Sequence, residues 1–333
     1  MFKNQLFSTK ISPERLKKVF HIRNISQRET IPNLPVLDDN GVFHQFNPTF
    51  EEQFFDLKVL DLVSGSYFGK IKNRNEDFYF PFINFIYQKC YSVGKVFLYA
   101  QPIENDIHNL ASSMKKLELF FWVNNNLKGY DIQRFVVTEI EYIFSVCQSL
   151  YDLLQSIIYS IWENITLKDQ SIQKKNLIKD SFSKMLFELK KGENFGLPQN
   201  IIDFYYHEES FFKKMKDFRN AVHHKGFTPS HTIYITPKGF GVSHELQHFS
   251  RFEVWKEETF ENKCIAPLKP IMAFVIKNTL EAMQNFKEII EKIISFPDDI
   301  APNYSVFLRR LHLDILDRLD SYINNDVWYD TSL

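Results

Sequence analysis

The sequence predicts a mainly α-helical protein, a helical bundle with an inserted β-hairpin and an N-terminal accessory region. Two long segments, Arg134–Trp162 and Pro267–Phe296, carry apolar residues at helical spacing. Two short β-type runs, Thr232–Ile235 and Phe240–Val242, flank the turn sequence Thr236-Pro237-Lys238-Gly239. These observations favour helix packing as the organising feature, with a hairpin as an addition to the bundle.

The elements are expected in three regions. Residues 1–125 form the accessory region, predicted to be mostly helical. Residues 126–300 form the bundle, with the hairpin at about 231–243, and residues 301–333 supply a helix that packs on it. With 333 residues and 44% hydrophobic content, the chain is long enough to bury a sizeable core.

Composition excludes some classes of function. The formal net charge of −1 rules out a uniformly polybasic nucleic-acid binder, although it permits a local basic groove. Cys90, Cys147 and Cys264 are widely separated, which indicates a reducing compartment and argues against a cysteine-ligated zinc site. No apolar run reaches membrane length, and the first residues lack a signal-peptide core. We therefore expect a cytoplasmic protein without membrane contact.

The N-terminal elements have weak signals. Ser12 before Pro13 is a typical helix start, and residues 30–50 are rich in breakers. The mixed apolar patterns of Phe50–Leu62 and Phe82–Leu98 are interpreted as mostly helical.

A Gly65-Ser66 pair resembles the opening of a nucleotidyltransferase site. Such a site also needs two carboxylates one residue apart on a strand, so that both face the same metal ion. The chain offers the adjacent pair Glu76-Asp77, whose side chains would point to opposite faces of a strand. A transferase is therefore not favoured.

The later helices have stronger signals. Apolar residues at helical spacing predict helices over Asn105–Val123, Lys174–Lys190 and Tyr304–Ile323, in addition to the two long segments. Arg134–Trp162 has the broadest apolar band, which is typical of a helix at the centre of a bundle or at a dimer interface.

The segment Phe211–Gly226 predicts the last turns of an amphipathic helix, with Gly226 just past its end. Arg219 shares a face with Phe212 and Met215, so its guanidinium should point toward a packed surface. Because a buried arginine usually meets an anion, this position indicates a phosphate or carboxylate partner.

The run Arg219-Asn220-Ala221-Val222-His223-His224 resembles the motif of the HEPN superfamily: Arg, a polar residue, and His four to six positions after the Arg. The resemblance implies a HEPN-like helical bundle that acts, usually as a homodimer, as a metal-independent endoribonuclease without cofactor. It implies RNA as substrate, a toxin or phage-defence role, and a possible antitoxin or regulatory partner. The matched catalytic positions are Arg219, Asn220 and His224.

Helix geometry adds a second histidine. At about 100° per residue, His223 lies roughly 40° from Arg219 around the helix, and His224 roughly 140°. Geometry therefore favours His223, whereas the family pattern favours His224. Either the helix loosens before Gly226, or the Arg and His of opposite protomers meet. A structural alternative is that the two histidines only end a helix and that Arg219 makes an internal ion pair.

Lysines near the motif predict an RNA contact surface. Lys213, Lys214, Lys216 and Lys225 flank Arg219 and could bind the phosphate backbone independently of sequence. Further lysines on and beside the predicted helix Lys174–Lys190 would extend this basic wall. Ordinary solvation explains any single lysine equally well.

A rival constellation follows the hairpin. His244-Glu245-Leu246-Gln247-His248 spells HExxH, in which two His on one helical face bind zinc and the Glu acts as general base. If the segment continues as a strand, residues four apart lie about 13 Å from each other and cannot share a metal. We therefore predict no metal site, with His244 and His248 as the alternative. The competing functions are thus a HEPN-type nuclease, a non-catalytic HEPN-like module that binds RNA or protein, and a zinc-dependent hydrolase.

Overall fold

The computed structural model describes residues 34–48, 54–59, 61–91, 93–123, 129–165, 173–224, 233–245, 247–296, 298–324 and 328. The helix predicted to begin at Ser12 lies outside these residues. The described chain is mainly helical with small sheets, as predicted. It divides into two compact units. The first draws on Met1–Glu104, Ser160–Thr166 and Glu291–Asp314, and the second on Asn105–Tyr159, Leu167–Ile290 and Ile315–Leu333.

The first unit contains a six-stranded sheet in the order β3-β2-β1-β4-β9-β5. The β1–β4 pair is parallel, and the other neighbouring strands are antiparallel. The strands are β1 Val36–Leu37, β2 Phe43–Pro48, β3 Phe54–Val59, β4 Gly65–Gly69, β5 Phe78–Tyr79 and β9 Ser305–Arg309. Strand β9 follows β5 by more than two hundred positions in the chain, yet it lies between β4 and β5.

The prediction of a helix over Phe50–Leu62 is wrong, because Phe54–Val59 is strand β3. Its sequence, FFDLKV, places Phe55, Leu57 and Val59 in alternation with acidic and basic residues, which is the two-residue period of a strand. Pairing with β2 along its whole length supplies the backbone hydrogen bonds that a helix would have made internally.

The helix predicted over Tyr304–Ile323 is also wrong. Ser305–Arg309 forms β9, and only Asp314–Asp317 (α8) and Leu319–Asn324 (α9) are helical. The sequence SVFLR is buried from its second residue onward and pairs on both edges, an environment that suits β-branched and aromatic side chains.

A short helix supports β9 in the first unit. Helix α1, Pro81–Phe85, continues as a π-helical turn over Ile86–Cys90, within the predicted helical range Phe82–Leu98. The buried amide of Gln88 donates to the carbonyls of Ala301 and Tyr304 at 3.1 and 2.8 Å, and accepts from the Ala301 N–H at 2.9 Å. These bonds fix the loop that leads into β9.

The remaining helices are α2 Phe97–Val123, α3 Gly129–Asn164, α4 Phe182–Lys190, α5 Gln199–His224, α6 Gln247–Ser250 and α7 Leu268–Ile293. The long helices predicted at Asn105–Val123, Arg134–Trp162 and Pro267–Phe296 are confirmed as α2, α3 and α7. Among the described residues, no helix combines the length and apolar character needed to cross a lipid bilayer.

The helix predicted over Lys174–Lys190 starts later than expected. Only Phe182–Lys190 is helical, because Ser181 takes an extended conformation and its side chain accepts the Lys184 N–H, capping α4. Residues 173–180 have no regular secondary structure. A side chain of α3 holds this segment, since the Gln155 amide donates to the Ile178 carbonyl at 2.5 Å.

Aromatic stacking joins α3 to α5 in the second unit. The rings of Phe144 and Phe218 stack with their centroids 3.9 Å apart, and the ring centroids of Tyr151 and Phe212 are 5.2 Å apart. Tyr151 also donates a hydrogen bond to the Glu208 carboxylate at 2.8 Å. Such aromatic pairs stabilise the fold by more than the burial of their area alone, and they fix the rotation of α5 against α3.

A three-stranded sheet, β6-β7-β8, completes the second unit. Its strands are β6 Ile233–Thr236, β7 Gly239–Ser243 and β8 Ile265–Pro267. Strands β6 and β7 pair antiparallel around Pro237-Lys238, where the sequence indicates a hairpin. The Thr236 hydroxyl closes the turn by accepting the N–H groups of Lys238 and Gly239, each at 3.2 Å. That this hairpin is an insertion in a HEPN-like bundle stays a prediction.

Candidate functional site

The site is built around Arg219 on α5. Its neighbours Phe212, Met215 and Phe218 are buried and pack inward, so the position of Arg219 beside them leaves its side chain half-buried, as the sequence pattern predicts. The guanidinium is held by α3, since Nη1 donates to Gln148 Oε1 at 3.0 Å.

The remaining hydrogen-bonding capacity of Arg219 is unused among the described residues. Its Nε atom is buried and has no acceptor there. No described carboxylate lies within ion-pairing distance of its guanidinium, and its hydrogen bond to Gln148 is with a neutral amide. A buried donor without an acceptor costs about 1–3 kcal/mol, so the conformation of Arg219 is one that an anion would stabilise.

Arg219 faces a polar cleft of about 340 Å³. The cleft is lined by Ser145, Gln148, Ser149, Asp152, Leu153, Ser156, Asp180 and Arg219. The five polar members from α3 follow the spacing i, i+3, i+4, i+7 and i+11, which places them on one face of that helix. These residues form a polar stripe on α3, and Arg219 of α5 lines the same cleft.

Asp152 is the most constrained acid of the cleft. Its Oδ1 accepts the N–H of Phe182, the first residue of α4, at 3.0 Å. Burial raises the pKa of the Asp152 carboxyl, and the negative charge of Asp180 acts in the same direction. The Phe182 N–H bond and the charges of Arg219 and Lys216 oppose this shift without cancelling it. The carboxyl therefore holds a proton more readily than an exposed aspartate.

A chain of buried hydrogen bonds fixes the segment before α4. Tyr205 of α5 donates to Gln155 Oε1 at 2.5 Å, and the Gln155 amide donates in turn to the Ile178 carbonyl. Since Gln155 is fully buried, this chain ties the segment before α4 to both α3 and α5. Asp180, two residues later, is placed at the cleft as a result.

The structure describes the predicted catalytic residues in part. Asn220 is exposed, immediately after Arg219. The helical backbone of α5 continues through His224, so the helix does not loosen within the described residues. The side chains of His223 and His224 lie outside the described part of the chain, and which of them serves Arg219 stays a prediction.

The predicted RNA-binding lysines differ in environment. Lys213 is exposed and Lys214 half-buried, and neither makes an ion pair within the described residues. Lys216 donates to the Ser183 hydroxyl of α4 at 2.7 Å. Lys225 lies outside the described residues.

The wider basic wall is partly neutralised. Four of its lysines pair with acids that the sequence pattern did not connect to them, namely Lys175 with Glu193, Lys179 with Asp180, Lys190 with Glu209 and Lys191 with Glu188. The exposed Lys184 makes no ion pair in the part of the chain that the structure describes. Within the described residues, Lys184, Lys213, Lys214 and Lys216 are lysines of the predicted basic surface that make no ion pair.

The HExxH histidines do not share a helix. His244 lies in the turn after β7, where its Nδ1 is 3.0 Å from the Cys264 carbonyl, whereas His248 belongs to the four-residue helix α6. Across the described ranges, no group of three or more His, Cys, Asp or Glu side chains is arranged to hold a metal ion. The arrangement therefore lacks the shared helical face on which the zinc-hydrolase alternative depends.

Asp77, the acid considered for a transferase site, has a different partner. It is fully buried, and Arg309 binds it bidentately, with Nε to Oδ1 and Nη2 to Oδ2 both at 2.7 Å. Tyr67 donates to Oδ2 at 2.6 Å. The guanidinium lies 5.0 Å from the ring centroid of Phe43 and 5.1 Å from that of Tyr67. With its oxygens occupied in this way, Asp77 is not available as a metal ligand.

Sequence reasoning missed the residues that α3 contributes. The polar stripe lies within the apolar band of Arg134–Trp162, and its spacing is visible in the sequence. Asp180 falls within the predicted helix Lys174–Lys190, whereas in the structure it lies beside the cleft, before the first residue of α4. A search for polar residues at helical spacing within the most apolar helix would have found Gln148 and Asp152.

Comparison of the chain with protein-family models, with curated proteins and with solved structures gave no match. Its function therefore has to be inferred from the chemistry of its own residues.

Proposed function

We propose that this protein is a metal-independent endoribonuclease of HEPN type, acting in the cytoplasm as a toxin or phage-defence effector. One observation carries the proposal. Arg219 is half-buried, is bound by the neutral amide of Gln148, and lines a cleft in which no described carboxylate, Asp152 and Asp180 included, forms an ion pair with its guanidinium. Such a guanidinium is oriented and keeps donors for an anion, which is what a site for a phosphodiester requires.

The same observation weakens the structural alternative for the motif. An arginine kept for stability would be expected to pair with an acid, as Arg309 does with Asp77. Arg219 instead has a donor, Nε, that no described residue satisfies. A phosphate oxygen would satisfy this donor and add charge-assisted hydrogen bonds, which are roughly twice as strong as neutral ones.

The proposed chemistry needs no metal. Arg219 would stabilise the charge that develops on the phosphate as the neighbouring 2′-oxygen attacks, and His224 or His223 would move protons. Asn220 would orient the phosphate or the arginine. Lys213, Lys214, Lys216 and Lys225 would contribute salt-dependent contacts to the RNA backbone. Because α5 stays helical through His224, a homodimer that brings together the motifs of two protomers is part of the proposal.

The test is incubation of the purified full-length chain with total cellular RNA in EDTA. Arg219→Ala should lower the cleavage rate about 100- to 1,000-fold, the effect of removing one donor that stabilises a transition-state oxyanion. Arg134→Ala, which removes an exposed arginine of α3, is the matched control and should cleave like the wild type. Fragments should end in 2′,3′-cyclic phosphates.

Three other results would revise the proposal. Equal cleavage by wild type and Arg219→Ala would exclude the site. Cleavage that EDTA abolishes would point to His244 and His248. Tight RNA binding without cleavage would favour the non-catalytic RNA-binding module. The exposed Lys184 and Lys213, which make no ion pair within the described residues, give that module a physical basis.

A further inference from the structure

The cleft presents a carboxylate and a guanidinium, which carry opposite charges, from two different helices. Asp152 comes from α3 and Arg219 from α5, and both line the same cavity. The two side chains do not form an ion pair with each other, although the Arg219 charge is close enough to influence the Asp152 carboxyl. Asp152 Oδ1 is occupied by the Phe182 N–H, whereas Oδ2 has no hydrogen-bond donor among the described residues. A ligand between them could therefore use both groups.

We propose that Asp152 and Arg219 form one nucleotide subsite, in which Asp152 accepts the hydrogen bond of a ribose 2′-hydroxyl and takes its proton when that oxygen attacks the phosphate bound by Arg219. This inference rests on the proposed ribonuclease function. It assigns to Asp152 the role of general base, and it assigns to the cleft the distinction between RNA and DNA.

The residue types fit the two halves of a ribonucleotide. A carboxylate only accepts hydrogen bonds, so it suits a hydroxyl that must donate, and a guanidinium only donates, so it suits phosphate oxygens. The Ser145 and Ser149 hydroxyls and the Gln148 amide add neutral polar contacts along the same wall. At about 340 Å³ the cleft lies within the usual range for small-ligand sites, which suits one nucleotide rather than a duplex.

The charges around Asp152 support proton transfer. Lys216 and Arg219 face it from α5, Asp180 faces it from the segment before α4, and its own helix contributes only neutral groups to the cleft. Burial raises the pKa of Asp152, which brings it closer to working pH than an exposed aspartate and makes the carboxylate a stronger base.

Every bond and proton of the proposed cleavage step is accounted for. The 2′-oxygen forms a bond to phosphorus while the bond from phosphorus to the 5′-oxygen breaks. Asp152 receives the 2′-hydroxyl proton, and the motif histidine, His224 or His223, gives a proton to the leaving 5′-oxygen. The products are a 2′,3′-cyclic phosphate and a 5′-hydroxyl, and no metal or external reagent is consumed.

The test combines binding and cleavage with two variants of one residue. Asp152→Asn can still accept the Phe182 N–H and a 2′-hydroxyl through its amide oxygen but cannot take a proton. We expect it to bind a labelled RNA oligonucleotide like the wild type and to cleave it about 100-fold more slowly or worse. Asp152→Ala should in addition lose the preference for RNA over a DNA oligonucleotide of the same sequence. Asp203→Asn, an exposed aspartate of α5, is the control.

Fluorescence anisotropy and cleavage rates from pH 5 to 9, all in EDTA, separate the outcomes. Wild-type rates should fall as Asp152 becomes protonated at low pH, and Asp152→Asn should lack this limb. If wild type and Asp152→Asn cleave equally, the inference fails while the ribonuclease function stands. If nothing cleaves but only Asp152→Ala loses the RNA preference, the nuclease fails while the subsite stands as a binding site. Equal binding of RNA and DNA by wild type and Asp152→Ala, or no binding at all, overturns the subsite.

Discussion

Arg309 and Arg219 show how differently one side chain can be used within a single chain. Arg309 is nearly inaccessible, binds Asp77 through two hydrogen bonds and lies against two aromatic rings. Arg219 is half-buried, meets a neutral amide and borders an open cleft. Arg309 has a carboxylate partner for its charge, whereas Arg219 keeps a donor, Nε, that no described residue accepts. Partner satisfaction, rather than burial alone, separates a structural arginine from a candidate functional one.

The largest expected effect is a loss of stability when Arg309, the structural arginine, is removed. Arg309→Ala leaves the Asp77 carboxylate buried without its counter-charge, so it should destabilise the protein by about 3–5 kcal/mol. The free energy of unfolding from urea denaturation measures this loss. Arg310→Ala, which removes the next and exposed arginine, should change stability by less than about 0.5 kcal/mol. A small effect of Arg309→Ala would show that the buried pair is not a determinant of stability.

Removal of Arg219, the candidate functional arginine, should change stability much less. Arg219→Ala removes one hydrogen bond to Gln148 but also removes the unsatisfied Nε, so stability should change by no more than about 1 kcal/mol while cleavage is lost. Urea denaturation beside Arg309→Ala compares the two directly. If both variants lose several kcal/mol, Arg219 is a structural residue and the distinction collapses.

The buried Asp77 and the half-buried Asp152 should change the stability of the protein in opposite directions as pH changes. Burial alone would raise the pKa of Asp77, but hydrogen bonds from Arg309 and Tyr67 outweigh it and lower the pKa below its ordinary 3.8. Its stabilising contribution is therefore complete at neutral pH and disappears as pH falls below about 4.

The pKa of Asp152 is raised, so its ionisation destabilises the fold as pH rises above the ordinary 3.8 through the raised value. Asp152→Asn cannot ionise and does not lose this stability. The free energy of unfolding of Asp152→Asn minus that of wild type should therefore be larger at pH 7 than at pH 4. Denaturation at the two pH values checks the sign. A stability advantage of Asp152→Asn that is larger at pH 4 than at pH 7 would contradict a raised pKa for Asp152.

The smallest expected effect concerns Asp61, the second carboxylate near Arg309. Asp61 also approaches Arg309, at 3.4 Å, and pairs with Arg74, but its side chain is 45% exposed. Because solvent screens such pairs, Asp61→Asn should cost only about 0.5 kcal/mol. Thermal denaturation is sensitive enough to detect it. A loss of stability close to that of Arg309→Ala would mean that Asp61 and Asp77 both neutralise Arg309.

The sequence predicted the parts of the molecule whose signals are local. Helices α2, α3, α5 and α7 are long enough for their apolar periodicity to dominate, and Arg219 followed from its position beside Met215. The six-stranded sheet was missed because two of its strands have only two residues and show no period. Strand β9 was missed because its environment is set by β4 and β5, which lie far away in sequence.

The residues of the site differ in how far the sequence reveals them. The motif on α5 is a contiguous pattern, and the helical spacing of Gln148 and Asp152 on α3 is also visible in the sequence, but only packing brings these two residues and Asp180 to the same cleft as Arg219. Their role depends on the rotation of α3 against α5 and on the chain leaving regular structure before α4. Neither feature has a signature in a single segment of sequence.

The position of β9 also has a consequence for protein synthesis. Asp77 and Arg309 are 232 positions apart, so the aspartate leaves the ribosome well before its partner has been made. At about 5–20 residues per second, this interval is on the order of ten to fifty seconds. During that time the edges of β4 and β5 that β9 will occupy are open, and a nascent chain with open strand edges is a natural client for chaperones. Assembly of the first unit is therefore expected to be late, with β9 inserted between β4 and β5 as the last step.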